Sequence, residues 1–506
     1  MRAFSLRWLW RLLAMALFLA WVGSAFWHGN RRLPPGLHIA GSWESAPASD
    51  VRFMHDLSAA DATGAPLRER QIDAEVLRMI AQAREIVVLD TGLFGDLPAA
   101  GPGAPRLRTA PLIAVALTDA LLKARHDQSE LQILLLVDPA SLDMSSGPSL
   151  IDRLRDAGID VVAVDVSRLR AADAPFLAFW QLCCGWWGRG KGAGNWPNPI
   201  GVGPAGVAFG LWGRTAGYQR SHRQLIIADD GEGHLGGFIF SRPLNAEAAL
   251  HSATALHVSG SALESSLESE FAIAQFSGWT GGGAMQARSR HLAERQRLNI
   301  TAAPARDAAR SRVVSDSLIG EALVALIDAT GRRDSIDIAA LYLSQRELVR
   351  ALLDAAHRGV GIRVLLDPGK DGYGYARSGL PNRVVASELV AASDGAVRVR
   401  WYRTHGEQFS AGFVLIRGGE RTWLMVGTAE LCRRDLDDFN LAAAFISELP
   451  VAATASVDAL TWFDTLWFNR AAGGVEYTSD ADVYADASQL HYWQYRFAEA
   501  SGTAFD

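Results

Sequence analysis

The sequence is poor in cysteine: among 506 residues there are three, two adjacent (Cys183, Cys184) and one distant (Cys432). Three cannot build a disulfide framework or a four-ligand zinc site. As chain neighbours, Cys183 and Cys184 are expected to be packed thiols. An excess of positive charge is also lacking. Forty-nine Lys+Arg against 55 Asp+Glu give −6, which excludes a chain-wide electrostatic grip on nucleic acid and leaves room only for a local basic patch. The bulk of the chain is neither low-complexity nor disordered, since 49% of residues are hydrophobic and 21% charged. Beyond the N-terminus there is no second run of 18 apolar residues. A single helical membrane span is therefore the most the sequence offers.

That span is at the start. Arg2, Arg7 and Arg11 precede an apolar run from Leu12 to Trp27, broken only by Gly23 and Ser24. Basic residues ahead of an apolar stretch keep the N-terminus in the cytoplasm and send the rest of the chain outward. Three readings stand: an uncleaved anchor, extended by Trp8, Leu9 and Trp10 and with Trp21 and Trp27 suited to an interface; a signal cleaved near Gly23-Ser24-Ala25; or a buried core helix. The expected location is accordingly a bacterial-type inner membrane with the soluble body on the periplasmic side, or secretion if the segment is removed. Pro34-Pro35-Gly36 opens a linker.

The body beyond the linker is a duplication. Gln71 to Ala83 has helical periodicity, Glu85 to Asp90 is a buried strand, Leu112 to Ala124 a helix, and Leu131 to Val137 a strand ending in Asp138-Pro139. The same order recurs with a helix over Leu318 to Ala329, a strand over Ser335 to Leu341, a helix over Glu347 to Arg358, and Ile362 to Leu366 running into Asp367-Pro368. Alternating strands and helices imply parallel sheets covered by helices. The expected organisation is an anchor or signal over 1–33, a linker over 34–66, a first lobe over 67–276 with an aromatic insertion at 175–215, an Arg-rich linker over 277–312, and a second lobe over 313–506.

Chemistry is expected in the later part of each lobe. In the first, Ser221-His222-Arg223-Gln224 leads through a strand to Asp229 and then to Leu235-Gly236-Gly237-Phe238-Ile239-Phe240. In the second, Phe409-Ser410-Ala411-Gly412 leads through a strand to Arg417 and then to Gly427-Thr428-Ala429-Glu430 and Arg433-Arg434-Asp435. On these residues, and on the paired Asp-Pro strand ends, the chain resembles the phospholipase D superfamily over Gln71 to Trp467. The likeness is to its bacterial membrane-associated, cardiolipin-synthase-like members. The resemblance implies an α/β fold: two duplicated lobes packed about a pseudo-twofold axis, each supplying one H-x-K-x4-D motif to a shared site. One His attacks phosphorus to give a phosphohistidine, and the other protonates the leaving alcohol and later activates an acceptor. The two Lys neutralise the phosphoryl oxygens, and each Asp orients an imidazole. Neither metal nor other cofactor is implied.

Carried over position by position, the first motif keeps His222 and Asp229 but has Gln224 for Lys. The second has Ser410 for His, Gly412 for Lys and Arg417 for Asp. The family's Asn-containing turn is represented by Gly236-Gly237 and by Gly427-Thr428, without the Asn. Gly237 and Thr428 are the expected phosphate-side residues. His405, in His405-Gly-Glu-Gln408, matches the motif no better than Ser410 does.

Between the strand that ends at Asp138 and His222, Phe176, Phe179, Trp180, Trp186, Trp187 and Trp196 cluster. Trp180 and Trp187 are the expected lipid contacts, because indoles suit the headgroup region; a core-covering helical hairpin is the alternative. Losing one key member of a catalytic unit commonly costs factors of about 10⁴ to 10⁶. The expected function is therefore a membrane-associated superfamily protein that binds or acts on phospholipid phosphodiesters, with catalysis weak or lost. The alternative is an active phosphodiesterase or phosphatidyltransferase using His222 as nucleophile. A nuclease fits the anchor, the tryptophans and the charge badly. The expected partner is phospholipid or a membrane surface, not nucleic acid, and the sequence names no protein partner.

Overall fold

The computed structural model describes residues 6–60, 66–95, 113–143, 149–185, 190, 192–198, 206–215, 219–242, 244, 251–299, 307–372, 375–405, 407–470 and 475–501. The first element, α1 (Leu6–Gly29), has 24 residues. At about 1.5 Å per residue it exceeds the roughly 30 Å of a bilayer's hydrocarbon core. Leu12, Phe18, Phe26 and their neighbours are exposed. Among the described residues it is the one helix long and apolar enough to cross a membrane.

Two sheets form the body. The first contains β1 (Arg52–Ala60), β2 (Ile86–Asp90), β3 (Gln132–Val137), β4 (Asp160–Ala163), β5 (Leu225–Asp229), β6 (Leu235–Phe240) and β7 (His251–Ser259). Their spatial order is β1-β7-β6-β5-β2-β3-β4. The second contains β8 (Ala308–Ser315), β9 (Ser335–Ala340), β10 (Gly361–Leu366), β11 (Val397–Tyr402), β13 (Gly412–Gly418), β14 (Arg421–Gly427) and β15 (Ala443–Pro450), preceded at β13 by the short β12 (Gln408–Ser410). Its order is β8-β15-β14-β13-β9-β10-β11. Over these seven strands the two orders are the same; Pro66–Arg70 extends the first sheet beside β1, and Glu44–Pro47 and Thr478–Asp480 flank the second. In each sheet the strands β2-β3-β4 or β9-β10-β11 run parallel and the rest antiparallel, apart from β12, which pairs parallel with β7 of the first sheet. Strands β2 and β5 are buried along their whole length, as near-continuous apolar runs must be when both faces of a sheet are covered. The crossovers use α2 (Ile72–Gln82) and α3 (Ile113–Asp127) in one lobe, and α5 (Ser317–Asp328) and α6 (Arg346–His357) in the other. Between these pairs lies α4 (Ala174–Cys183).

The edge strands differ from the sequence expectation. β1 falls inside the expected 34–66 linker and β8 begins inside the expected 277–312 linker. In β8, Ala309, Ser311 and Val313 point inward while Arg310 and Arg312 alternate outward, so a true strand period was hidden in an Arg-rich run. Arg312 stacks over Trp43 at 4.6 Å. The preceding helix, Gly283–Asn299, lies on the first lobe with Leu292 and Ala293 buried, and its Arg288 bonds the Glu130 carbonyl at 2.7 Å. At the end of α4, Cys183 and Cys184 are joined as a disulfide with S–S 2.02 Å, contrary to the expectation of packed thiols. The backbone leaves helical geometry there, with Cys184 at φ −133°.

A common core ties the lobes together. Phe53 of β1 meets Phe413 of β13 at 5.6 Å, and Trp462 of α7 (Thr454–Trp467) packs on both. The chain also crosses twice. β12 pairs with β7 of the first sheet, Ser410 opposite Ala253. Reciprocally, Ser221 bridges Leu441 just before β15. Each lobe thus lends the segment before its β5 or β13 strand to the other, and these two segments carry His222 and Ser410.

Candidate functional site at the lobe seam

The Asp-Pro end found in each lobe explains why those segments sit where they do. Asp138 accepts from the Ser221 N–H through Oδ2 at 3.2 Å and from the Ala140 N–H through Oδ1 at 2.9 Å. Asp367 accepts from the Phe409 N–H through Oδ2 at 2.8 Å and from the Gly369 N–H through Oδ1 at 2.7 Å. Each carboxylate fixes the residue immediately before His222 or Ser410. Sheet register gives the same correspondence: Asp90 pairs with Leu225 and Leu136, and Ala339 pairs with Phe413 and Leu365. Gln224 therefore corresponds to Gly412, and His222 to Ser410. Ser241 and Thr428 also correspond. Each hydroxyl oxygen accepts a backbone N–H of the neighbouring strand segment, Thr254 at 2.9 Å and Ala443 at 3.1 Å.

His222 is held by the opposite lobe. Its N–H donates to the Leu441 carbonyl at 2.8 Å, and its Nδ1 lies 3.0 Å from Asp435 Oδ2. The imidazole is partly open to solvent, at 27%, while Asp435 is sealed. Asp435 also accepts from the Glu430 N–H at 2.8 Å and from the Asn440 side-chain amide at 2.7 Å. Asn440 in turn accepts from the Arg220 N–H at 3.0 Å. Burial by itself pushes the Asp435 carboxyl up, but the His222 imidazole, together with the Asn440 and Glu430 donors, holds it below the ordinary carboxylate range. An ionised Asp435 fixes the Nδ1–H tautomer and leaves the lone pair on Nε2. That is the arrangement a nucleophilic or proton-transferring histidine requires.

Asp229 plays no part in this. It accepts backbone N–H groups from Arg84, Glu85, Ile86 and Gly231 at 2.8–3.0 Å. It sits at the far end of β5 from His222, roughly 20 Å of extended chain away. The motif spacing therefore survives as a cap on β2, and the orienting carboxylate comes from Asp435. Gly237 is also misplaced by the motif: it lies within β6, where a Cβ would meet Leu263 Cδ2 at 2.2 Å. The segment corresponding to Gly427-Thr428 is Phe240-Ser241. Gln224 is buried at the Lys position, and among the described residues its Oε1 has no hydrogen-bond partner. At Gly412 a Cβ would stand 2.0 Å from the Gly427 carbonyl oxygen and 3.2 Å from Ser241 Cβ. No lysine stem can start there. The constraint is space, because Gly412 is not among the positive-φ residues.

His405 pairs with Glu407, 3.7 Å away, on the approach to β12. His257 is buried, and burial, aided by the nearby Arg52, lowers its pKa to about 4. Trp180 is in a ring cluster with Phe209 at 4.8 Å and Trp212 at 6.0 Å, and is 5% exposed. It is a packing residue, not a surface for lipid. Trp187 lies outside the described residues.

Sequence reasoning missed two things. Asp435 stands in the run Arg433-Arg434-Asp435 with no visible role, since its pairing with His222 exists only across the seam. The other is Arg223, which lies between the two motif residues and points into the core. It bonds Glu270 at 2.9 Å, Asp316 at 3.2 Å and the Leu37 carbonyl at 3.0 Å. Burial raises Asp90 and Glu270, and raises Asp316 to about 6, against the pull of that single guanidinium. Among the described residues the one grouping spaced for a metal is Asp230, Glu232 and His234, exposed on the β5–β6 turn. That turn is at the end of β5 away from His222.

An α/β body with two sheets of the same core strand order, in which the His222 and Ser410 segments each pair with the other lobe, has the phospholipase D fold. The chain overlays phosphatidylserine synthase of Haemophilus influenzae with a TM-score of 0.53 at 8% identity, covering 91% of this chain and 94% of that one. A phospholipase D family member, Nuc from Salmonella typhimurium, aligns over 35% of this chain and 99% of its own, with a TM-score of 0.26 and 14% identity. Yeast tyrosyl-DNA phosphodiesterase aligns over 78% and 87%, with a TM-score of 0.39 and 8% identity. No curated protein sequence matches the chain. Residues 323–467 match the family described as cardiolipin synthase, PLD-like domain. Residues 323–467 thus carry the PLD-like domain, and the body as a whole has its fold.

Proposed function

We propose that the protein is a membrane-anchored member of the phospholipase D superfamily that binds phospholipid phosphodiesters at the lobe seam and turns them over weakly or not at all. One observation carries the reading: the two half-sites share a backbone scaffold but not its chemistry. On one side, the His222–Asp435 pair is assembled from both lobes. On the other, Ser410 offers a hydroxyl and Gly412 has no room for a cation-bearing side chain. With one histidine, a phosphohistidine could form at His222 Nε2, but no second imidazole stands at the corresponding position to protonate the departing alcohol. Gln224 can donate a hydrogen bond to a phosphoryl oxygen but contributes no charge. α1 keeps the body at the membrane, where its lipid ligand is.

The His222–Asp435 pair favours a second reading, in which the protein is an active phosphodiesterase or phosphatidyltransferase with His222 as nucleophile. The two are separated with headgroup-labelled cardiolipin, phosphatidylglycerol and phosphatidylethanolamine, measuring binding and headgroup release by the full chain. The binding reading expects saturable binding weakened by His222→Ala, with release indistinguishable between the two proteins. Release that depends on His222 supports the catalytic reading.

A further inference from the structure

The C-terminal helix α8 (Gln489–Ser501) is amphipathic in a way the body does not use. Its inner side is fixed: Tyr495 is buried and donates to the Ser344 carbonyl at 2.7 Å, and Ala498 is buried beside it. Its outer side presents Leu490, Trp493 and Phe497 at 66%, 64% and 72% exposure. The spacing of three and four residues stacks them on one face. Three large apolar side chains in one exposed row require a partner, and the position of α8 says which.

The end of α8 is clasped to the end of α1. Arg433 donates from Nη1 to the Glu499 and Ala500 carbonyls at 2.7 and 2.6 Å, and its guanidinium lies 5.4 Å from the Phe439 ring centre. On the same ring, Arg170 lies at 4.5 Å and donates from Nε to the Gly29 carbonyl, the last residue of α1, at 2.7 Å. Arg433 and Arg170 also meet at Asp437, one through its carboxylate at 3.0 Å and the other through its carbonyl at 3.3 Å. Phe497 is thus within a helical turn of a rigid cluster that begins where the membrane helix leaves the body.

We propose that the Leu490–Trp493–Phe497 face of α8 is a second membrane contact, inserted among the lipid headgroups and upper acyl chains beside α1. This rests on α1 being an anchor. A helix lying in the interface with an apolar face including Trp and Phe, and with Arg496 at its flank, suits that region. The body already docks on α1 through α4, with Trp21 Nε1 donating to the Pro175 carbonyl at 2.9 Å, and the α8 contact fixes its tilt against the membrane. Since Arg433 is two residues from Asp435, the two contacts set the His222 side of the seam toward the headgroups.

The test uses the full chain reconstituted in vesicles of phosphatidylglycerol and phosphatidylethanolamine. A polarity-sensitive fluorophore is placed at Trp493→Cys, Phe497→Cys or, as a control at the opposite end of the second sheet, Arg333→Cys, each with Cys432→Ala. Nitroxide-bearing lipids should quench the two α8 probes severalfold more than the control, and carbonate washing should leave the protein in the vesicles. Carbonate-resistant protein whose α8 probes are quenched no more than the control overturns the proposal. Probes that lose water contact without lipid quenching also overturn it, in favour of a second copy of the chain covering the helix. Extraction by carbonate with quenching retained removes only the anchor reading, and extraction without quenching removes both.

Discussion

The two half-sites were built by the same backbone rules and ended with different chemistry. At both, an Asp-Pro carboxylate holds the residue before the site position, and a hydroxyl at the next strand end accepts from the neighbouring strand. Only the first-lobe position retains an imidazole, and it is oriented by an acid of the other lobe. In both lobes the scaffold is held by backbone hydrogen bonds to Asp, Ser and Thr, and these do not depend on which side chain stands at the site position. The side-chain space is what differs: buried Gln224 has a normal stem, whereas Gly412 sits against the Gly427 carbonyl.

The largest expected effect breaks this comparison at its weaker side. Gly412→Ala should cost at least about 1–3 kcal/mol by overpacking, and Gly412→Lys should abolish soluble folded protein. Gln224→Lys should fold. Thermal unfolding of the three variants checks this, and a well-folded Gly412→Lys would mean that the second half-site can be rebuilt.

Next is Asp435→Ala, which strands the Glu430 and Asn440 donors and the imidazole. Leaving buried donors unsatisfied costs about 1–3 kcal/mol, read as a lower unfolding temperature with weaker phospholipid binding. The sign of the pH effect comes from its lowered pKa. Its contribution is present above the ordinary carboxylate range and is lost as pH falls through the folded-state value.

Asp316 should behave in the opposite sense. Burial raises it from 3.8 to about 6. Its contribution is therefore full below about 4 and lost as pH rises through 6. Asp316→Asn should flatten the rise in stability between pH 6 and 4 and raise stability at pH 7. An unchanged slope would show that Asp90 and Glu270 hold the proton instead. The smallest stability effect belongs to His222→Ala. Because the side chain is partly solvated, the loss should be about 1 kcal/mol or less, while phospholipid binding falls.

Much of the scaffold was legible in the sequence, because its central strands are apolar runs and its crossovers have helical period. The helix expected over Gln71 to Ala83 is found at Ile72–Gln82, and the strand over Ser335 to Leu341 at Ser335–Ala340. β1 and β8 were not legible, since half-exposed edge strands carry Arg on alternate positions. The motif alignment placed His222, Ser410 and Gly412 in register, but it assigned Asp229 and Gly237 by spacing. Both perform backbone tasks at positions where a chemical role would have needed a different neighbour. Asp435 could not be found from the linear sequence, because its partner is 213 residues away. The aromatic insertion is conspicuous by composition, which cannot tell Trp180, packed inside, from Phe179, exposed on the other side of α4.

Whether a single His222–Asp435 pair supports turnover without a second imidazole is tested most directly by headgroup release from labelled phosphatidylglycerol and cardiolipin. The reconstituted, unmodified chain is run beside His222→Ala. The account predicts binding that depends on His222, and release by the two proteins that cannot be told apart. Sustained release by the unmodified chain, abolished by His222→Ala, would contradict it.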